Sequence, residues 1–190
     1  NIFLFNLLIY LSTTHLFILP FFPSASASQL KYVKTPEYKQ YIKQVLLNSR
    51  QLANDLIKFD FKILTNGTDN HIILIDLKNK SISGNKVEKL CEMINISLNK
   101  NAIKGDKSAL NPNGIRIGTP SITTRGLKEK DMYFIANFIN IIVTFGKEIQ
   151  DVSGVKMKEF LLELQKEDNQ KFIKSIKDGV KIFINKFEYY

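Results

Sequence analysis

Arg116 is the side chain whose surroundings in this sequence most directly suggest chemistry. It lies between Ile115 and Ile117, in a strand-like run with glycine at positions 114 and 118. A guanidinium among apolar neighbours needs a partner, because an unpaired buried charge is costly. Its planar fork matches a carboxylate in bidentate geometry. Two hypotheses follow: Arg116 binds a ligand carboxylate, or it forms an internal salt bridge with an Asp or Glu.

His71 and Cys91 are chemically versatile, but their contexts favour structural roles. His71 stands alone at the edge of a predicted strand, and Cys91 lies on the apolar face of a predicted helix, as a packed thiol does. Neither has partners at metal-ligand spacing, so we expect no metal site. The sequence also contains no phosphate-binding glycine loop and no nucleophile elbow.

Composition and charge exclude several classes of protein. The chain has 190 residues, 44% hydrophobic and 24% charged, which is typical of a globular protein. Its one cysteine excludes an internal disulfide framework. The 27 Lys and Arg exceed the 18 Asp and Glu by nine, which would attract nucleic acid. Because the lysines alternate with acidic residues along predicted helices, we interpret them as a solvated surface and expect no nucleic-acid partner.

The first thirty residues differ from the rest of the chain, because Lys31 is the first charged residue. Residues 2–22 are mostly Ile, Leu and Phe, about the 20 residues that a membrane-spanning helix needs. Three interpretations compete: a membrane anchor or targeting segment, a foreign or mistranslated leader on a truncated chain, or a buried helix of a larger protein. We predict a leader over residues 1–25 and a folded domain over residues 26–190.

The elements that must position Arg116 follow from periodicity and punctuation. Thr35 and Pro36 suit the start of a helix that runs to about Lys58. Strands are predicted at 61–65, 71–77 and 115–117, and helices at 87–98, 128–145 and 169–187. Residues 99–126 are rich in Gly and Pro, so they form the loops where binding groups concentrate. This order predicts an α/β fold of the α+β kind, a small mixed or antiparallel sheet covered by helices.

Several motifs resemble serine hydroxymethyltransferases, in that family's order. They are Gly67-Thr-Asp-Asn-His71, Leu98-Asn-Lys-Asn101, Gly105-Asp-Lys-Ser-Ala-Leu-Asn-Pro112, Gly114-Ile-Arg-Ile-Gly-Thr-Pro120 and Thr123-Thr-Arg-Gly126. The resemblance runs from about Ser26 to the end of the chain. It implies the carboxy-terminal small domain of a pyridoxal phosphate enzyme with the aspartate-aminotransferase-like fold.

The resemblance also implies functions for individual residues. The family moves the hydroxymethyl carbon of serine to tetrahydrofolate, leaving glycine, and works as a dimer or tetramer in the cytosol or in organelles such as mitochondria. Arg116 matches its arginine that binds the substrate carboxylate, Asn101 matches a folate contact, and Ser108 is a further folate candidate. The resemblance assigns structural roles to Asn70, His71 and Arg125.

One departure from the family concerns catalysis. The family's lysine that holds pyridoxal phosphate lies in the large domain, in a Thr-rich run that ends in His-Lys. Here Thr13-Thr14-His15 is followed by Leu16, and we interpret this similarity as chance because nothing around it agrees. No catalytic residue can therefore be named, and we expect the chain alone to be inactive. The alternative hypothesis is a membrane-anchored, non-catalytic binding module, with residues 2–22 as its anchor.

Overall fold

The computed structural model describes residues 21–108 and 110–187, in two units that divide between Lys43 and Gln44. Most of the expected leader, including the run Thr13-Thr14-His15, therefore lies outside the described residues. In the first unit, helix α1 spans Phe21–Val33 and helix α2, Pro36–Lys58, begins. The Thr35 hydroxyl accepts a hydrogen bond from the Tyr38 amide at 3.2 Å, which confirms the predicted helix start.

The second unit contains the remainder of α2, a four-stranded sheet and five further helices among the described residues. The strands are β1 (Lys62–Ile63), β2 (Ile72–Asp76), β3 (Asn99–Asn101) and β4 (Gly114–Gly118). The helices are α3 (Gly84–Met93), α4 (Pro120–Thr124), α5 (Glu129–Ser153), α6 (Met157–Leu164) and α7 (Glu167–Ile184). A 3₁₀ turn occupies Lys78–Lys80. The predicted combination of helices with a small sheet is therefore present.

The sheet is antiparallel throughout, in the order β1-β2-β4-β3. Of the two predicted arrangements, mixed and antiparallel, the structure has the second. Alternation along the strands sends one set of side chains to the helices. That set is almost entirely buried and consists of Ile63, Ile73, Ile75, Ile115 and Ile117. We call this side of the sheet the helical face and the opposite side the open face.

Helix α5 is the central element that covers the helical face. Its buried side chains recur at helical spacing and include Met132, Ile139 and Ile142. Gly146 lets α3 approach closely, because a Cβ at this position would lie 2.4 Å from the Leu90 Cδ1 atom. In the described part of the chain, α5 alone has the length and apolar composition of a membrane-spanning helix. Its packing in the core accounts for that composition without a membrane.

Several segments differ from their predicted secondary structure, and two of them follow one another along the chain. Strand β3 was expected to be loop, because its three residues, Asn99, Lys100 and Asn101, carry no apolar alternation. Helix α3 ends at Met93 rather than near Leu98, and Asn95 follows with a φ of 63°. A positive φ is compatible with Asn but not with a continuing helix. This reversal turns the chain back into β3.

Candidate functional site

The candidate site is the open face of the sheet, at strands β2, β4 and β3. Cross-strand partners share a face, so the register places Leu74 and Asn99 on either side of Arg116. Gly118 lies opposite Ile72 at one end of this face, and Gly114 lies opposite Asn101 at the other. The open face thus carries polar groups on β3, and Ile72, Leu74 and the buried carboxylate of Asp76 on β2, with Arg116 between the two strands.

Arg116 is exposed, and this corrects the expectation of a buried guanidinium. Its neighbours Ile115 and Ile117 are buried because they point to the helical face, as alternation in a strand requires. No salt bridge or side-chain hydrogen bond joins Arg116 to any residue that the structure describes. The internal salt-bridge hypothesis therefore has no support among these residues. A rigid central strand presents a guanidinium with its donors available.

Asn101 lies on the same face as Arg116, one diagonal step away. It is the partner of Gly114, which is two residues before Arg116 on β4. Diagonal neighbours of this kind are separated by about 7–8 Å, within the span of one ligand. The Asn101 side chain is half-buried, and its Nδ2 atom donates to the Ala102 carbonyl at 2.7 Å. Its Oδ1 atom and second N–H remain available for a ligand.

The β3–β4 loop, residues 102–108 and 110–113, adjoins this end of the open face. Ile103 covers Gly114 so closely that a Cβ on the glycine would lie 2.4 Å from the Ile103 Cγ2 atom. Asp106 accepts hydrogen bonds from the amides of Ile103 at 3.0 Å and Asn113 at 2.9 Å, and from the Asn113 side chain at 2.6 Å. Burial acts to raise the pKa of Asp106, but these donors outweigh it and hold the pKa below its ordinary value.

Ser108 lies farther out on the same loop and is exposed. Its Oγ atom accepts a hydrogen bond from the Leu110 amide at 3.1 Å. The Leu110 side chain is 83% exposed. The loop thus places a hydroxyl and an exposed leucine near the end of the open face.

The other residues considered from sequence have structural surroundings. Cys91 is fully buried in the core, and burial raises the pKa of its thiol to about 12. Asn70 accepts a hydrogen bond from the Ile72 amide at 2.7 Å, which holds the start of β2 beside exposed His71. Arg125 donates to the Ile184 carbonyl at 3.1 Å, which links α4 to α7. Within residues 21–108 and 110–187, no three His, Cys, Asp or Glu side chains cluster as metal ligands do.

A separate groove of about 560 Å³ lies between α3 and β3, beyond the edge of the sheet. Its two lysines are ion-paired, Lys89 with Glu92 at 2.8 Å and Lys100 with Glu88 at 3.4 Å. Glu88 also accepts the Lys100 amide at 2.9 Å, which satisfies a backbone donor of the edge strand. These contacts give the groove a structural explanation.

Comparison with known proteins identifies the family. The family model for serine hydroxymethyltransferase matches residues 21–139, more than half of the chain. The chain belongs to the serine hydroxymethyltransferase family. The predicted resemblance is therefore confirmed.

Individual relatives agree with this assignment. A serine hydroxymethyltransferase of Plasmodium falciparum is 50% identical over 137 residues, which cover 72% of this chain and 31% of the relative. The cytosolic serine hydroxymethyltransferase of Candida albicans is 47% identical over 140 residues, 72% of this chain and 30% of the relative. Serine hydroxymethyltransferase 3, chloroplastic, of Arabidopsis thaliana is 42% identical over 161 residues, 83% of this chain and 30% of the relative. The chain spans about a third of the length of the curated relatives it matches.

Proposed function

We propose that this chain supplies the carboxy-terminal, small-domain part of a serine hydroxymethyltransferase of the aspartate-aminotransferase-like fold. In this role its open face binds the substrates while serine and tetrahydrofolate are converted to glycine and methylene-tetrahydrofolate. The observation that supports the proposal best is the exposed guanidinium of Arg116, which has no partner among the described residues and is held by a central strand. The domain comprises residues 26–190, and residues 1–25 form a leader.

Arg116 binds the carboxylate of serine or glycine in this proposal. Two parallel N–H···O bonds fix both the position and the plane of the carboxylate. Fixing that plane orients the bonds at the substrate Cα, and orientation of this kind lowers the barrier by reducing the entropy lost in the reaction. The neighbouring isoleucines support this function, because their burial anchors the strand on both sides of the arginine.

Asn101 and Ser108 contact the folate in this proposal. A primary amide can donate and accept at once, which suits the edge of a pterin ring. Their position supports this, since Asn101 lies one diagonal step from Arg116. The two substrates would then approach the same end of the open face.

Pyridoxal phosphate is the family's cofactor, and it acts as an electron sink when a bond at the substrate Cα breaks. It needs a free amine for covalent attachment and a group of donors for its phosphate. Of the three cations on the strands, Lys100 shares the face of Ile115, which leaves Arg116 and Lys62 on the open face, and Lys62 lies 3.7 Å from the Asp76 carboxylate. These residues do not fit the cofactor by themselves, so we assign no catalytic step to this chain alone.

Inactivity of the isolated chain is the first testable consequence, and it rests on the absence from this sequence of the family's Thr-rich run that ends in His-Lys. The purified chain mixed with pyridoxal phosphate should show no imine absorbance band and no release of glycine from serine. A band that depends on a lysine of this chain, with turnover, would contradict the proposal. Like the family, the complete enzyme would be a homo-oligomer in the cytosol or in mitochondria.

A chimera tests the substrate role of Arg116. Residues 26–190 would replace the matching third of the Plasmodium falciparum relative, and conversion of serine to glycine would be measured. Arg116→Lys replaces the fork by a point charge, so we expect kcat/KM for serine to fall about 10- to 100-fold, the value of one to two charge-assisted hydrogen bonds.

Arg50→Lys provides the matched control for that chimera. Arg50 is exposed on α2, away from the strands of the open face. Its replacement should leave kcat/KM within twofold of the parent chimera. Equal kinetics for the parent and Arg116→Lys would remove Arg116 from the substrate site.

A further inference from the structure

Asp106 is the one acidic side chain of the β3–β4 loop, and its contacts join the two ends of that loop. The Ile103 amide donates to it from the end that follows β3, and the Asn113 amide and side chain donate from the end that precedes β4. Three N–H donors therefore converge on one carboxylate across a gap of seven residues. Charge-assisted hydrogen bonds of this kind are roughly twice as strong as neutral ones.

The end of the loop that Asp106 holds is itself attached to the folded core. The Leu77 amide donates to the Asn113 carbonyl at 2.8 Å, and the Gly84 amide donates to the Pro112 carbonyl at 2.7 Å. On the other end, Lys78 Nζ donates to the Lys104 carbonyl at 3.1 Å. Asp106 thus connects the β3–β4 loop to residues that are hydrogen-bonded to the end of β2 and the start of α3.

We infer that Asp106 is a positioning residue for the ligand, acting through the loop that carries Ser108 and that begins directly after Asn101. Its carboxylate holds Ile103 against Asn113, and so determines where Ser108 stands relative to the open face. This inference rests on the proposed folate contacts of Asn101 and Ser108. It assigns to Asp106 no contact with the substrate.

The chemistry of the contact makes Asp106→Asn the informative change. Both carboxylate oxygens accept N–H donors, and one oxygen accepts two of them. An amide keeps the size of the side chain but replaces one acceptor by a donor, which then faces an N–H group. The variant therefore loses at least one bond and the negative charge, while the packing around Ile103 is retained.

Amide hydrogen exchange on the full chain gives a readout that does not depend on the ligand. We expect the Ile103 and Asn113 amides of Asp106→Asn to exchange at least tenfold faster than in the wild type. The control is Asp178→Asn, the same chemical change at an exposed site on α7. It should leave both amides unchanged.

A stable reduced folate, 5-formyltetrahydrofolate, serves as the ligand probe. The Kd for the full chain, from the shifts of backbone resonances in a titration, should rise at least fivefold in Asp106→Asn and stay constant in Asp178→Asn. Asn113→Ala removes only the side-chain donor and should give smaller changes in both measurements. This variant also keeps the test decisive if Asp106→Asn does not fold.

The pH dependence of amide protection distinguishes hydrogen bonding to the Asp106 carboxylate from a general loss of structure. Burial acts to raise the pKa of Asp106, but the three donors and the nearby Lys78 charge together hold it below its ordinary value of about 3.9. Protection of Ile103 and Asn113, corrected for intrinsic exchange, should therefore persist at pH 5 and disappear as the pH falls through the lowered pKa. Asp106→Asn should show no such step.

Unchanged protection in Asp106→Asn, or equal folate affinity of this variant and the wild type, would overturn the inference. If the wild-type chain bound no folate, the proposed contacts of Asn101 and Ser108 would be wrong. The exchange data alone would then decide the positioning role of Asp106, with lost protection supporting it and retained protection excluding it.

Discussion

The helices that cover one face of the sheet and the strands of its open face each carry a notable cation, and the two cations have opposite surroundings. On the helical side, Lys86 is only 2% exposed, and its Nζ atom donates to the Gln150 Oε1 atom at 2.9 Å and lies 4.7 Å above the Phe160 ring. On the open side, Arg116 is exposed and has no partner among the described residues. The first cation joins α3 to α5 and α6, whereas the second has donors to offer a ligand.

This contrast shows how to separate structural cations from candidate ligand-binding ones. A buried charge must be satisfied within the protein, since leaving it unpaired costs several kcal/mol, of order 3–5 when a partner is removed. A charge in water has no such requirement, and exposed cations on strands are ordinary. What distinguishes Arg116 from Lys62 and Lys100 is that it has no acidic partner among the described residues. Ligand binding is the explanation that we propose for Arg116.

The sharpest test of the contrast compares adjacent residues of β2. Ile75 is fully buried on the helical face, and Leu74 is half-buried on the open face. Ile75→Ala should lower the free energy of unfolding by about 2–5 kcal/mol. Leu74→Ala should lower it by about 1 kcal/mol or less, because much of that side chain is already in contact with water. Urea denaturation of both variants measures this, and equal losses would show that the open face is covered.

Truncation of Lys86 should have the next largest effect on stability. Lys86→Ala leaves the Gln150 carbonyl without its donor and opens a cavity beside Phe160, at a cost of about 2–3 kcal/mol. Lys86→Met keeps the apolar length and needs no ionic partner, so it should recover most of the loss. Chemical denaturation at pH 7 compares the two. Identical losses would mean that the charge, rather than packing, determines the contribution of Lys86.

The stability difference between the wild type and Lys86→Met should also change with pH. We expect this change to be smaller than the loss caused by Lys86→Ala, and its sign can be predicted. Burial lowers the pKa of Lys86, and the nearby Glu159 charge offsets this only in part. Between the lowered pKa and the unfolded value of about 10.4, the unfolded chain binds more protons than the folded one. Stability of the wild type relative to Lys86→Met should therefore rise with pH in this window. A flat or falling difference would contradict a desolvated charge.

Arg116→Ala should have the smallest effect on stability, within about 0.5 kcal/mol, because an exposed side chain without a partner contributes little to the folded state. Thermal and urea unfolding of the chain would measure this. A loss of more than 2 kcal/mol would show that Arg116 belongs to the architecture and would remove the contrast with Lys86.

Much of the fold could be predicted from local patterns. Thr35-Pro36 as a helix start is explained by capping and by the fixed φ of proline. Asn66 and Gly67 both have positive φ, 53° and 150°, as these residue types permit, within the longer connection between β1 and β2. Strand β3 and helices α4 and α6 were not predicted. β3 consists of three polar residues that form a strand only because β4 supplies their hydrogen-bond partners.

The candidate site was only partly accessible from the sequence. Arg116, Asn101 and Ser108 were singled out, and their assignment to substrates stays a prediction. Asp106 lies inside a recognised motif, but its role was missed. A signal was present in the pair Gly105-Asp106, because both residue types favour turns, and Gly105 has a φ of 92° in the structure. The partner Asn113, seven residues on, could not be identified without the loop conformation.

The sequence by itself determined the family and the local elements, because motif spacing, capping residues and apolar periodicity depend on near neighbours along the chain. Only the tertiary structure decided that Arg116 is exposed and Lys86 is buried. Arg116 lies between two isoleucines, whereas Lys86 lies between Asn85 and Val87, so neighbours along the chain would suggest the opposite burial. The difference arises because strand pairing and helix packing select one face of each element for the core. Lys86 lies on the buried face of α3, where Gln150 accepts a hydrogen bond from its ammonium group and the Phe160 ring lies beneath it.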